Sequence, residues 1–178
     1  MLAELIGRLD VSQVMTLLVI TVASVFDLRT RRIPNLLTFG GAALALLYAG
    51  AAHGLSGLAH AVEGWLAGLV IFFPLFWLGG FGAGDVKLMA CLGAWLGPAL
   101  ALWTALYAAL AGGVAAIVVA LATGYMRTAA DNLYLLLVHF RVAGIRPHPE
   151  LTLERGKGPR LPYALPIAAG ALAAMWLH

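Results

Sequence analysis

The stretch from Val86 to Thr123 constrains this fold more than any other part of the chain, because it is almost without charge and far too long for one helix. Crossing the hydrocarbon of a bilayer takes about 20 apolar residues, and a helix is the open-ended way to satisfy the backbone there. Gly97-Pro98 is the natural break, since proline lacks a donor and turns the preceding residue away from helix. The stretch therefore divides into Val86–Leu96 and Ala99–Leu121. Four further apolar runs, Val11–Phe26, Leu36–Ala52, Ala61–Leu78 and Leu161–Leu177, complete a reading of six spans. The expectation is an all-α polytopic membrane bundle, with residues 1–178 forming one integral-membrane domain and no separate soluble one. The run Val86–Leu96 is too short to cross unaided, so it extends, tilts or sits inside the bundle.

Composition agrees. A hydrophobic share of 62%, a charged share of 11% and a mean hydropathy of +0.94 lie outside the soluble range. The single cysteine, Cys91, excludes an internal disulfide and a Cys-pair zinc site, and reads as small core filler. The first apolar run is not a cleaved leader, because its positive cluster follows it and Val22-Ala23-Ser24 is a weak cleavage site.

Charge then orients the bundle. Arg29, Arg31, Arg32, Lys87, Arg127, Arg141, Arg146, Arg155, Lys157 and Arg160 all fall on one side of six spans, with Arg8 opposite. The positive-inside rule makes that side the cytoplasm and puts both termini outside. Asp27 and Asp85 then both fall at cytoplasmic helix ends. Each has an ordinary structural role open to it. Asp85 follows glycines and precedes an apolar helix, as an N-cap does. Asp27 ends a helix, where the macrodipole disfavours it, and Arg29 or Arg31 could pair with it.

Two carboxylates within reach of one water allow a specific chemistry. They cannot both ionise easily and so share a proton. The ionised one draws a proton from water as it attacks a peptide carbonyl, and the protonated one supports the carbonyl oxygen and then protonates the leaving amine. No metal, nucleophilic serine or cofactor is needed. Gly79, Gly80, Gly82 and Gly84 would let backbone approach Asp85 closely or take positive φ.

These residues carry a resemblance. Asp27 with Arg31-Arg32-Ile33-Pro34-Asn35, then Gly82-Ala83-Gly84-Asp85-Val86-Lys87-Leu88 and Leu92-Gly93-Ala94-Trp95-Leu96-Gly97, resemble the type IV prepilin peptidases. These are intramembrane aspartic proteases with a Gly-x-Gly-Asp motif, a group that also holds presenilin and the preflagellin peptidases. Arg160-Leu161-Pro162-Tyr163 and Ile167-Ala168-Ala169-Gly170 resemble the family's last helix less specifically, and Ala164-Leu165-Pro166 shares residues but not order with presenilin's Pro-Ala-Leu element. The resemblance implies that Asp27 and Asp85 are the catalytic dyad, with Gly82, Gly84 and Lys87 shaping the loop or touching substrate. It implies a bacterial inner-membrane, multi-pass endopeptidase that cuts the basic leader from prepilins or pseudopilins at the cytoplasmic face. Leader and enzyme face are both basic, so shared residence in the membrane, not charge attraction, would bring them together. Larger relatives carry paired cysteines in an N-terminal segment and also methylate the new amino terminus. One cysteine and about ten residues before the first span make this chain resemble the short form of Tad/Flp-type pili, without methyl transfer or S-adenosylmethionine. The partners implied are a prepilin and membrane lipid, with no nucleic acid.

Other features support the bundle. Gly64-x-x-x-Gly68 and Gly93-x-x-x-Gly97 suit close helix packing. Lys87, two residues past Asp85, points to another helix face and reads as an interface anchor. His53, His60 and Glu63 fall near an outer loop, where a metal site is the minor alternative. Leu133, Leu136, Leu137 and Phe140 predict an interfacial helix over Asp131–Val142, with loop over Pro147–Pro159. Two other classes compete with the protease: a small transporter, whose acids would line a path across the membrane, and a pilus-assembly subunit with structural aspartates.

Overall fold

The computed structural model describes residues 10–144 and 161–178. Among them there are five helices and no strand: α1 Val11–Thr30, α2 Asn35–Trp77, α3 Ala83–Ala122, α4 Met126–Ala143 and α5 Ala164–Leu177. Arg8, Arg146, Arg155, Lys157, Arg160 and the loop expected over Pro147–Pro159 lie outside the described residues.

The local chemistry sets the ends of α1. Asp10 caps it, its Oδ1 accepting the Gln13 N–H at 2.7 Å while the Gln13 side chain accepts the Asp10 N–H. The helix stops where Arg31 turns left-handed, at φ 54°, and returns its N–H to the Asp27 carbonyl. At about 30 Å, α1 matches the thickness of a hydrocarbon core. Its buried residues, Thr16, Val19, Ile20, Ala23, Ser24 and Asp27, recur every three or four positions and make one stripe facing the core.

A straight helix the length of α2 or α3 would run about 60 Å or more, twice that thickness. Both instead fold back at a glycine. Gly54 has φ 65° and Gly97 has φ 78°, conformations that glycine adopts without steric cost. The reversals are tight: a Cβ on Gly57 would meet the Ala49 carbonyl at 2.6 Å, and one on Gly93 would lie 3.5 Å from the Ala101 Cβ. The break expected at Gly97-Pro98 is present. The outer loop expected over 53–60 is not, because one left-handed glycine reverses the chain without a loop and helix resumes at residue 55.

The first arm of α3, residues 83–96, is the central post of the molecule. Val86 and every residue from Leu88 to Gly97 are buried. This is how the short run Val86–Leu96 is accommodated: it sits inside the bundle. Gly64 packs directly on Gly93, and Gly68 on Met89 and Ala90, so the second arm of α2 lies against the post at backbone contact. Cys91 is fully buried, with its Sγ 2.8 Å from where a Cβ on Gly41 would be. On the post's other side, α5 crosses the second arm of α3, Gly170 abutting the Thr104 carbonyl and the Ala108 backbone.

By length and composition α1, α2 and α3 can cross a membrane. The apolar helix α5 is shorter, beginning at Ala164 and not at the expected Leu161. Helix α4 starts at Met126, five residues before the expected Asp131, and leaves Leu133, Tyr134 and Leu135 exposed.

Candidate carboxylate site

Three connections gather one end of the bundle. The 31–34 linker reaches α3, where Ile33 lies 3.4 Å from a would-be Cβ on Gly84. Lys87 Nζ donates to Asn35 Oδ1 at 2.9 Å. The Ala164 N–H donates to Asp27 Oδ2 at 3.1 Å across a separation of 137 residues. The end of α1 and the starts of α2, α3 and α5 therefore meet at one level, and Asp27 and Asp85 are both there.

Asp27 is 8% exposed, in the last turns of α1, where the helix dipole opposes a carboxylate. Its compensation comes from the first N–H of α5, at the favourable end of another helix. Asp85 does not take the N-cap role that the sequence leaves open to it. Gly82 takes that position, in extended conformation at φ −79°, and Asp85 lies three residues on, within the first turn of α3. Its Oδ2 accepts the Gly82 N–H at 3.1 Å, satisfying a donor that the helix start leaves free. The two carboxylates lie within electrostatic reach of each other. Each is thus held by a backbone donor, one from its own motif and one from a distant helix.

The glycines divide by role. Among Gly79, Gly80, Gly82 and Gly84, only Gly79 takes a positive φ, 81°. A Cβ on Gly82 would come 3.2 Å from Asp85 Oδ2 and crowd the bond that anchors it, while Gly84 makes room for Ile33. Lys87 lies around the helix from Asp85. Besides Asn35 it sits over the Phe39 ring, 5.2 Å from the centroid, at an apolar groove of about 310 Å³ that includes Trp65 and Phe73.

Phe81, Tyr163 and Ala164 also stand at the site, although no sequence motif assigns them a role there. The Phe81 and Tyr163 rings meet edge-on at 4.2 Å, and Phe72 backs Phe81 at 5.0 Å. The signal in the sequence is Ala164-Leu165-Pro166, whose residue order differs from Pro-Ala-Leu. At the opposite end, Asp10, His53, His60 and Trp95 line a cavity of about 200 Å³. Among the described residues no three His, Cys, Asp or Glu side chains gather into a metal-binding group.

Fold and site together define, over the described residues, a helical protein with membrane-length apolar helices and a buried and a half-buried acid at one end of its bundle. A family model described as the type IV leader peptidase family matches residues 14–117, which include both aspartates. The chain belongs to that family. It is also 39% identical over 83 residues to a "Type 4 prepilin-like proteins leader peptide-processing enzyme" of Escherichia coli O78:H11 (strain H10407 / ETEC). That match covers 43% of this chain and 31% of the relative's length. No solved structure matches the chain.

Proposed function

We propose that this chain is an intramembrane aspartic endopeptidase that removes the basic leader from Flp-like type IV prepilins or pseudopilins, with Asp27 and Asp85 as its dyad. The observation that carries the reading is the meeting of the two acids at one end of the bundle, each anchored through one oxygen to a backbone N–H. Family membership and the leader-processing activity named for the E. coli relative supply the reaction class.

In this reading the other oxygen of each carboxylate faces a shared water. One proton serves the pair, and it belongs to the pair and not to either residue. The ionised acid takes a proton from water as the oxygen attacks the scissile carbonyl. The protonated acid donates to the carbonyl oxygen, and collapse of the tetrahedral intermediate delivers a proton to the leaving amine. Gly82 and Gly84 keep side chains away from Asp85, so an extended substrate backbone can approach it.

The six rods, α1, the two arms of α2, the two arms of α3, and α5, are read as spans of the bacterial inner membrane. The dyad lies at the cytoplasmic face and both termini outside, with α4 resting on the cytoplasmic surface. At that face the scissile bond is reachable while the apolar helix of the substrate stays in the bilayer. Co-expression with a candidate prepilin tests the proposal, leader loss being followed by gel shift. Asp27→Asn and Asp85→Asn should each abolish the shift while the chain still accumulates in membranes. Normal processing by either variant would end the dyad reading.

A further inference from the structure

Three contacts, linked by the peptide bonds of Tyr163-Ala164 and Phe81-Gly82, join the two carboxylates by way of Tyr163-Ala164, which lies outside the family match of residues 14–117. Asp27 Oδ2 is held by the Ala164 N–H at 3.1 Å. Ala164 is fully buried, and the residue before it, Tyr163, presses its ring on Phe81 with 4.2 Å between centroids. Phe81 immediately precedes Gly82, whose N–H binds Asp85 Oδ2. The Tyr163 ring is also wedged from behind, since a Cβ on Gly112 would meet its hydroxyl at 2.5 Å and Cζ at 2.9 Å. Gly112 lies in the second arm of α3 and touches neither acid, so it fixes the ring from outside the site.

Each link has a physical reason. A carboxylate at a helix C-terminus needs a donor from elsewhere, and the first N–H of another helix has no partner within its own helix. An edge-on aromatic pair resists sliding, because ring edge and ring face attract in a defined geometry. Moving Tyr163 therefore moves both the donor to Asp27 and the residue that leads into the Asp85 anchor.

We propose that Tyr163-Ala164, at the start of α5, is a positioning element that sets the separation and orientation of Asp27 relative to Asp85, with Gly112 as its backstop. This inference rests on the dyad reading above. Tyr163 acts through the two acids and has no chemical step of its own.

Steady-state cleavage of a prepilin by the full chain in membranes tests it. Misplacement of reacting groups by about 1 Å can cost a factor of about 10², so Tyr163→Leu should lower kcat by about tenfold to a hundredfold with KM held within about twofold. Tyr163→Phe keeps the ring on Phe81 and should stay within about threefold of the parent kcat, although it loses a hydroxyl that abuts Gly112 and lies within electrostatic reach of Asp85. Gly112→Ala pushes the ring from behind and should lower kcat to a similar degree as Tyr163→Leu. Adding it to Tyr163→Leu should have little further effect, as expected for two changes acting through one ring. If Tyr163→Leu fails to accumulate, Gly112→Ala carries the test alone. Parent kcat in Gly112→Ala, or an effect confined to KM, overturns the positioning role. An unmodified chain that cuts no prepilin overturns instead the peptidase reading beneath it.

Discussion

The two ends of the bundle both collect titratable groups, and they hold them in different ways. At the end proposed above to be the outer one, Asp10, His53 and His60 are exposed around a cavity, and Asp10 is occupied in capping its own helix. The chain reverses there at single glycines, Gly54 and Gly97, with no loop. At the end proposed to be the inner one, Asp27 is buried, and its carboxylate is held by a residue 137 positions away. The reversals there run through Arg31-Arg32-Ile33-Pro34 and through Leu78-Gly79-Gly80-Phe81-Gly82, linkers that touch the helices bearing the acids. Burial and a distant anchor at Asp27, not the presence of ionisable side chains, separate the two ends.

That contrast can be broken most directly at the inner end. Asp27→Asn or Asp85→Asn should lower the rate of leader removal by about 10³-fold or more, because a proton-transfer partner is lost. A loss under tenfold in a prepilin pulse-chase would put the acids on the same footing as the outer histidines. Next in size is the packing that supports the post. Gly64→Ala puts a methyl into the Gly93 backbone, where nothing flexible can yield. It should destabilise by about 1–3 kcal/mol, as overpacking does, and lower the amount of chain recovered from membranes.

At the outer end the effects should be smaller. Asp10→Ala removes the N-cap of α1 and should cost about 1 kcal/mol, visible as a lower melting temperature in detergent with the cleavage rate unchanged. Smallest of all is His53→Ala with His60→Ala, which should leave processing within about twofold, as surface changes usually do. A large loss of processing in that pair would show that the outer cavity takes part in the reaction and would erase the contrast.

Much of this was legible in the residues because bilayer physics is strict. Apolar runs of membrane length, the Gly97-Pro98 break and the grouping of Lys and Arg led to a helical bundle with both acids at one end. The small-residue pairs likewise foretold contacts: Gly64 and Gly93 do meet at their backbones. The misreadings arose where one residue's conformation decides the outcome. Gly54 looks like any other glycine in an Ala-Gly-rich run, so a loop was expected where a left-handed φ turns the helix at once. An N-cap role is open to Asp85 because it follows the glycines, but Gly82 caps by extended backbone and leaves the carboxylate to bond backwards from the first turn. Ala164 was invisible as a partner of Asp27. Its contribution is a main-chain N–H, which residue identity does not encode, delivered by tertiary folding over most of the chain.

The central claim is that Asp27 and Asp85 act as one unit. Single-turnover cleavage of one prepilin by Asp27→Asn, Asp85→Asn and the double variant tests it most directly. Groups that act together lose nearly everything when either is removed. All three chains should therefore show the same residual rate. A single variant near the parent rate, or a double variant slower by the product of the two single losses, would contradict it.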